Sequence, residues 1–122
     1  MSDKPYMKLW VTDYLGDAHY LSVPEHGAYF RLLLEAWKTP SCSLPADPAW
    51  ITRKLGITRE EFEDYVRPVI AEFWIEQDHR IHQKRQRKEF EDASYRSEMA
   101  KMAANRRWSG RKVIPLKTKD ND

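Results

Sequence analysis

The chain has 122 residues, of which 41% are hydrophobic and 33% charged, and these values fit one folded domain and not a disordered chain. Its net charge of +2 hides an uneven distribution: residues 1–79 carry eight Lys/Arg against thirteen Asp/Glu, and residues 80–122 carry thirteen against six. An acidic body with a basic C-terminal part indicates a polyanionic partner for that part.

The composition also argues against several classes of protein. Cys42 is the single cysteine and the four histidines lack zinc-site spacing, so we expect no disulfide and no metal. The N-terminal residues lack the apolar run of a signal peptide, and no segment approaches a run of about 20 apolar residues, so we expect a cytoplasmic protein without membrane contact. No glycine-rich phosphate loop or paired nucleophile and base is present, so we expect no enzyme, no cofactor and no small-molecule substrate.

The first elements are an irregular segment and a helix. We predict that residues 5–21 are extended or irregular, because Leu15-Gly16-Asp17 is typical of a turn. Ser22-Val23-Pro24-Glu25 is a capping box with a proline that suits the first turn, so a helix is predicted to begin there. Apolar residues cover most of its circumference, which indicates the central core helix, and it is predicted to end before Pro40.

Two further helices are predicted, with a glycine turn between them. The first has Asp47 as its N-cap and ends at Gly56, which suits a left-handed cap. The second runs from a capping box at Thr58 to Phe73, with apolar residues at helical spacing. Pro68 lies on its polar side and is expected to bend it. Two helices joined in this way are a helix-turn-helix candidate.

A short β-hairpin is predicted next, with residues 73–76 and 80–82 on either side of a turn at 77–79. Helix, helix and hairpin in this order are the layout of a winged helix. The expected fold class is therefore mainly α with a small β-hairpin, winged-helix-like and followed by a C-terminal helix.

The last part of the chain is predicted to be a basic helix with a disordered end. Residues 84–108 contain no proline or glycine, and Ser109-Gly110 is predicted to stop the helix. The expected organisation is a winged-helix-like domain at 5–83, a basic helix at 84–108 and a disordered basic tail at 109–122.

The basic side chains of the C-terminal part are the main candidate site. Each phosphate that a cation neutralises releases counterions, and this release favours binding. Binding to DNA phosphates is therefore strongest where several mobile cations lie close together. The alternative is a solvated helix, in which neighbouring carboxylates pair with these cations. The candidates are Arg80, Lys84, Arg85, Arg87, Lys88, Arg106, Arg107, Arg111 and Lys112.

The helix predicted at residues 58–73 carries an acidic face. Four carboxylates would be repelled by DNA phosphates, so either this helix does not enter a groove or only its N-terminal end does. In the second case the contacts would come from Arg53, Lys54 and Arg59. Alternatively the face binds a basic host or phage protein, and the chain is an interaction adaptor. The residues of this acidic face are Glu60, Glu61, Glu63 and Asp64.

Three strings of residues resemble a known family. Pro5-Tyr6-Met7, Asp13-Tyr14-Leu15 and Glu25-His26-Gly27-Ala28-Tyr29 are similar to segments of the YdaU-like family of phage and prophage proteins, and the resemblance covers roughly residues 5–88. Lys8 departs from the family pattern. The resemblance implies a winged-helix-like fold and a non-catalytic role in organising replication initiation. It also implies DNA as the partner, together with phage or host replication proteins.

Overall fold

The computed structural model describes residues 4–117, with the backbone alone for residues 109–117. This part of the chain is mainly helical and contains one small three-stranded antiparallel sheet, which confirms the expected mainly α class. The elements are α1 (Val11–Ala18), α2 (Val23–Trp37), β1 (Leu44–Pro45), α3 (Pro48–Leu55), α4 (Arg59–Glu61), a π-helical turn (Phe62–Val66), α5 (Arg67–Phe73), β2 (Ile75–Gln77), β3 (Arg80–His82) and α6 (Lys84–Lys117).

The N-terminal segment differs from the prediction. Residues 11–18 form helix α1, and Gly16 lies inside it. A glycine costs a helix about 1 kcal/mol relative to alanine, but α1 also buries Ala18 in the core and packs Tyr14 against it. The prediction of an irregular segment is wrong for residues 11–18, because this tertiary packing outweighs the local turn preference.

The predicted helix starts are confirmed. At α2, the Ser22 amide donates to the Glu25 carboxylate at 2.8 Å, and the Glu25 amide donates to Ser22 Oγ. Thr58 and Glu61 form the same reciprocal pair at α4. Helix α3 ends at Gly56, whose φ of 70° places it in the left-handed region. These interactions all join residues within four positions of each other, so the sequence pattern is sufficient to predict them.

The helix predicted at residues 58–73 is interrupted. A π-helical turn ends at Val66, directly before Arg67-Pro68 at the start of α5. Proline has no amide hydrogen and its ring disfavours a regular helix on its N-terminal side. The irregular turn therefore lies where Pro68 is expected to disturb the helix.

The predicted hairpin is confirmed and gains a third strand. Strands β2 and β3 pair antiparallel across Asp78-His79, whose φ values of 55° and 61° are those of a two-residue hairpin turn. Strand β1 pairs with the other edge of β3, with Leu44 opposite Ile81, so the sheet order is β1-β3-β2. A strand of two residues is too short to show an alternating pattern, and the sequence does not predict it.

The core lies between α2, the helical segments after Gly56 and the sheet. Leu32 and Ala36 of α2 have no exposed surface. Phe62 of the π-helical turn, Val69 of α5 and Ile81 of β3 belong to the same core cluster. Helix α2 contributes five buried side chains to the described residues, more than any other element, and therefore lies at the centre of the core.

The folded part of the chain up to Phe90 is called the body here, and it includes the first two turns of α6. Gln86 is 6% exposed and its Nε2 donates to the Leu33 carbonyl at 2.6 Å. Phe90 packs edge-to-face on Trp37, with the ring centroids 5.3 Å apart. A boundary at residue 83 therefore cuts through packed side chains, and the body continues to Phe90.

Helix α6 also continues beyond its predicted end. The backbone stays helical through Ser109-Gly110 to Lys117, which differs from the disorder predicted from residue 109. A single glycine weakens a helix but leaves its amide available for hydrogen bonding, so it does not have to end one. The predicted disorder of residues 118–122 lies outside the described residues.

Candidate nucleic-acid interface

Two of the predicted phosphate-binding arginines form hydrogen bonds within the folded part of the chain. Arg80 is half-buried in β3, where its Nε donates to Ser43 Oγ at 2.7 Å and a terminal nitrogen donates to the Ser43 carbonyl at 3.0 Å. Arg87 donates to the Ser41 carbonyl at 3.2 Å. Both side chains hold the loop before β1 in place. The guanidinium of Arg80 is therefore engaged within the fold, and Arg80 is not one of the mobile cations that the sequence assigned to phosphate binding.

The other cations at the start of α6 lie beside carboxylates. Lys84 and Lys88 are exposed, and Arg85 forms an ion pair with Asp17 of α1 at 3.1 Å. An open groove here lies between the N-terminal segment and α6. Its lining contains five Lys/Arg side chains and five Asp/Glu side chains, so it is electrostatically mixed. The carboxylate that pairs with Arg85 belongs to α1, whereas the alternative left open by the sequence concerned carboxylates along the same helix.

The cations expected at the helix-turn-helix differ from one another. Arg53 is exposed on the last turn of α3. Lys54 lies 3.9 Å from the Glu35 carboxylate, and Arg59 lies 3.0 Å from that of Glu63. Arg53 is therefore better placed for an external phosphate than the other two.

Glu63 of the acidic face is neutralised locally. It accepts two hydrogen bonds from Arg67, at 2.6 and 3.0 Å, and one from Arg59 at 3.0 Å. These hydrogen bonds, with Arg67 contributing most, lower the pKa of Glu63 to about 2. Its charge is matched by cations on either side along the same helical segment.

The acidic face is consequently smaller than the sequence suggests. The Glu61 carboxylate is committed to the capping box, where it accepts from the Thr58 amide at 2.9 Å. Glu60 and Asp64 remain exposed. Two of the four predicted carboxylates are therefore bound to neighbouring groups. The acidic face available to a partner consists of Glu60 and Asp64.

The outer part of α6, residues 93–117, is the most basic region and is called the arm here. It contains seven Lys/Arg and one Glu. Arg106 and Arg107 are exposed on it, whereas the side chains of Arg111 and Lys112 lie outside the described residues. At 1.5 Å per residue the arm is roughly 37 Å long. It presents positive charge with little opposing negative charge nearby in sequence.

The residues that carry the family resemblance build the joint between α1 and α2. The Tyr14 hydroxyl is 2.7 Å from His26 Nδ1, and the Tyr14 ring packs against Tyr29 at 5.2 Å. Tyr29 stacks on Phe73 at 4.9 Å and accepts a hydrogen bond from Gln83. Burial raises the pKa of Tyr29 to about 12. The motif is thus a structural joint, and the sequence analysis, which treats residues 5–21 as irregular, missed the role of Tyr14.

No helix in the described residues is both long and apolar enough to cross a membrane. No group of three or more His, Cys, Asp or Glu side chains in the same residues is placed to hold a metal ion.

The fold and the basic arm define a small helical protein with a three-stranded sheet and a projecting cationic helix. The chain belongs to a family described as a protein of unknown function, DUF1376, whose model matches residues 5–91. It is 36% identical over 76 residues to the "Uncharacterized protein YdaU" of Escherichia coli (strain K12). That alignment covers 62% of this chain and 25% of the relative, so the chain spans about a quarter of the relative's length. No solved structure matches the chain.

Proposed function

We propose that the chain is a non-catalytic DNA-binding protein whose arm provides most of the affinity. The observation that carries this proposal is the arm itself, a helix with seven Lys/Arg against one Glu, on which Arg96, Arg106 and Arg107 are exposed. Each phosphate contact releases condensed counterions, so a helix of this charge binds DNA without needing to read its sequence. The mixed charge of the groove beside Lys84 and Lys88 makes it a weaker contributor.

The order of elements supports a winged-helix arrangement of the body. Helix α2, strand β1, helix α3, the helical segment from α4 to α5, and the hairpin of β2 and β3 follow one another along the chain. The sheet order β1-β3-β2 agrees with that arrangement. In it the segment beginning at Arg59 takes the position of the recognition helix, and Arg53 lies next to its N-terminal end.

The proposed setting is the initiation of phage-type DNA replication in the cytoplasm. Support comes from the resemblance of the Tyr14 and His26 segments to the YdaU-like family and from membership of that family. The protein would organise DNA, with phage or host replication proteins as further partners. The chain spans only about a quarter of the curated relative, so this role is proposed for the DNA-binding part alone.

The test is fluorescence anisotropy with labelled single- and double-stranded DNA of mixed sequence, titrated across salt. We expect log affinity to fall linearly with log salt concentration. Replacing both Arg107 and Lys112 by Ala should reduce the magnitude of that slope by about two. The matched control replaces Arg31 and Lys38 of α2, which removes the same charge from the body, and should leave the slope unchanged. A folded protein that does not bind at low salt would contradict the proposal.

The alternative function is a protein-interaction adaptor that uses the acidic face. Glu60 and Asp64 are the residues of that face that stay exposed and uncommitted to a cap or to Arg67. Changing both to Lys should weaken a complex with a basic protein while leaving DNA affinity equal or slightly higher. Removing two carboxylates should not lower the affinity for a polyanion. Lower DNA affinity in this variant would therefore show that Glu60 or Asp64 contributes to DNA binding, which contradicts the adaptor function.

A further inference from the structure

The arm carries an apolar stripe that the body does not cover. Tyr95, Met99 and Met102 are 66%, 39% and 47% exposed. They are spaced by four and three residues, which places them within about 60° of each other around the helix axis. Phe90, which packs on Trp37, lies about 140° away from Tyr95 on the same helix. The stripe therefore faces away from the body that holds the start of α6.

We propose that this stripe pairs with the same stripe of a second copy of the chain, in an antiparallel arrangement. Most helices in proteins gain their stability by burying an apolar face against a neighbouring element and not from helix propensity alone. A narrow stripe at spacings of four and three, with charged residues on both sides, is the pattern of a seam between two helices. The inference concerns the arm alone and does not depend on DNA binding.

The charges at the two ends of the stripe are opposite, so they favour pairing with a second copy of the chain in the antiparallel direction. Glu91 precedes the stripe and Arg106 follows it, and both lie on the same side of α6 within about 60° of each other. An antiparallel pair centred between Glu98 and Met99 places Tyr95 opposite Met102 of the second copy. The same centre places Glu91 opposite Arg106 at both ends.

A parallel pair in register has the opposite electrostatics. It would place Glu91 next to Glu91 and Arg106 next to Arg106, and like charges at a helical seam are unfavourable. Arg107 lies about 120° from Tyr95 and stays outside the seam in the antiparallel pair. Two paired arms therefore keep cations on their outer surface and bring two bodies to opposite ends of one basic rod.

Three apolar side chains from each arm form a small seam. Stable interfaces bury about 1,200–2,000 Å², and this stripe buries less, so the dissociation constant is expected to be on the order of 100 µM. The chain should be monomeric at low micromolar concentration and largely dimeric at 1 mM.

The first experiment is sedimentation equilibrium of the full chain from 10 µM to 1 mM. We expect a reversible monomer–dimer equilibrium. Met102→Glu places a carboxylate in the seam of each arm and should weaken dimerisation at least tenfold. Ala104→Glu adds the same charge on the opposite side of the helix and should leave dimerisation unchanged, with circular dichroism showing equal helicity for both variants. A monomer throughout the range, or equal effects of the two variants, would overturn the pairing.

A charge exchange tests the antiparallel register. Glu91→Arg alone and Arg106→Glu alone should each weaken dimerisation several-fold, because each creates like charges at both ends of the seam. Combining them restores opposite charges and should return the dissociation constant to within about twofold of the parent, as expected for a coupled pair. Additive weakening in the double variant would overturn the antiparallel arrangement.

Discussion

Single side chains decide how α1 is attached to the body. The hydroxyl of Tyr14 meets His26 Nδ1 at 2.7 Å in a partly buried position, and burial raises the pKa of Tyr14. Tyr14→Phe removes the hydroxyl and leaves the ring, so the free energy of unfolding should fall by about 1 kcal/mol. Tyr20→Phe is the control, because Tyr20 is 56% exposed. Urea unfolding measures both, and equal stabilities of the two variants would show that the hydrogen bond contributes nothing.

Individual residues also show why the candidate site could be predicted only in part. Ser22, Thr58 and Gly56 act on groups within five residues along the chain, so their roles could be predicted from local sequence. Arg80 binds Ser43 and Arg85 binds Asp17, at separations of 37 and 68 residues. A charge pattern indicates that cations are present, but it does not reveal which of them a distant residue has already engaged.

Two glycines differ in role because they belong to different elements. Gly56 ends α3 with a positive φ, whereas Gly16 lies inside α1, and an added Cβ would meet no atom within 4 Å at either position. Gly56→Ala should destabilise the body by about 1 kcal/mol through backbone strain. Gly16→Ala should stabilise it by about 0.5–1 kcal/mol through helix propensity. Thermal unfolding of the two variants checks the opposite signs, and a loss of stability in both would refute the explanation.

Among the elements, those with complete local patterns were predicted and the others were not. Helices α2 and α3 have caps at their first residues, and the hairpin of β2 and β3 has a polar turn. Helix α1 contains a glycine and its first residue has no side-chain cap, and β1 is two residues long. Both of these form because a neighbouring element is present to pack or pair with them, which no local pattern records.

At the scale of the whole molecule, the body should be stable without the arm. The buried residues of the described chain all lie between Ala18 and Gln86. A chain ending at Glu91 should therefore keep the urea midpoint of the parent. A chain ending at Gln83 loses Gln86 and Phe90 from the body, and its free energy of unfolding should fall by roughly 2 kcal/mol or more. Equal midpoints for the two truncations would show that the start of α6 adds nothing to the body.

The uneven charge, the mainly helical class and the starts of α2, α3 and α4 were determined by the sequence alone. Each depends on composition or on interactions within one turn of chain, as at Ser22 and Thr58. Only the tertiary structure decided that Arg80 and Glu63 are engaged and that β1 completes the sheet. The reason is physical: whether a charge is available to a partner depends on which groups surround it, and folding brings those groups from distant parts of the chain.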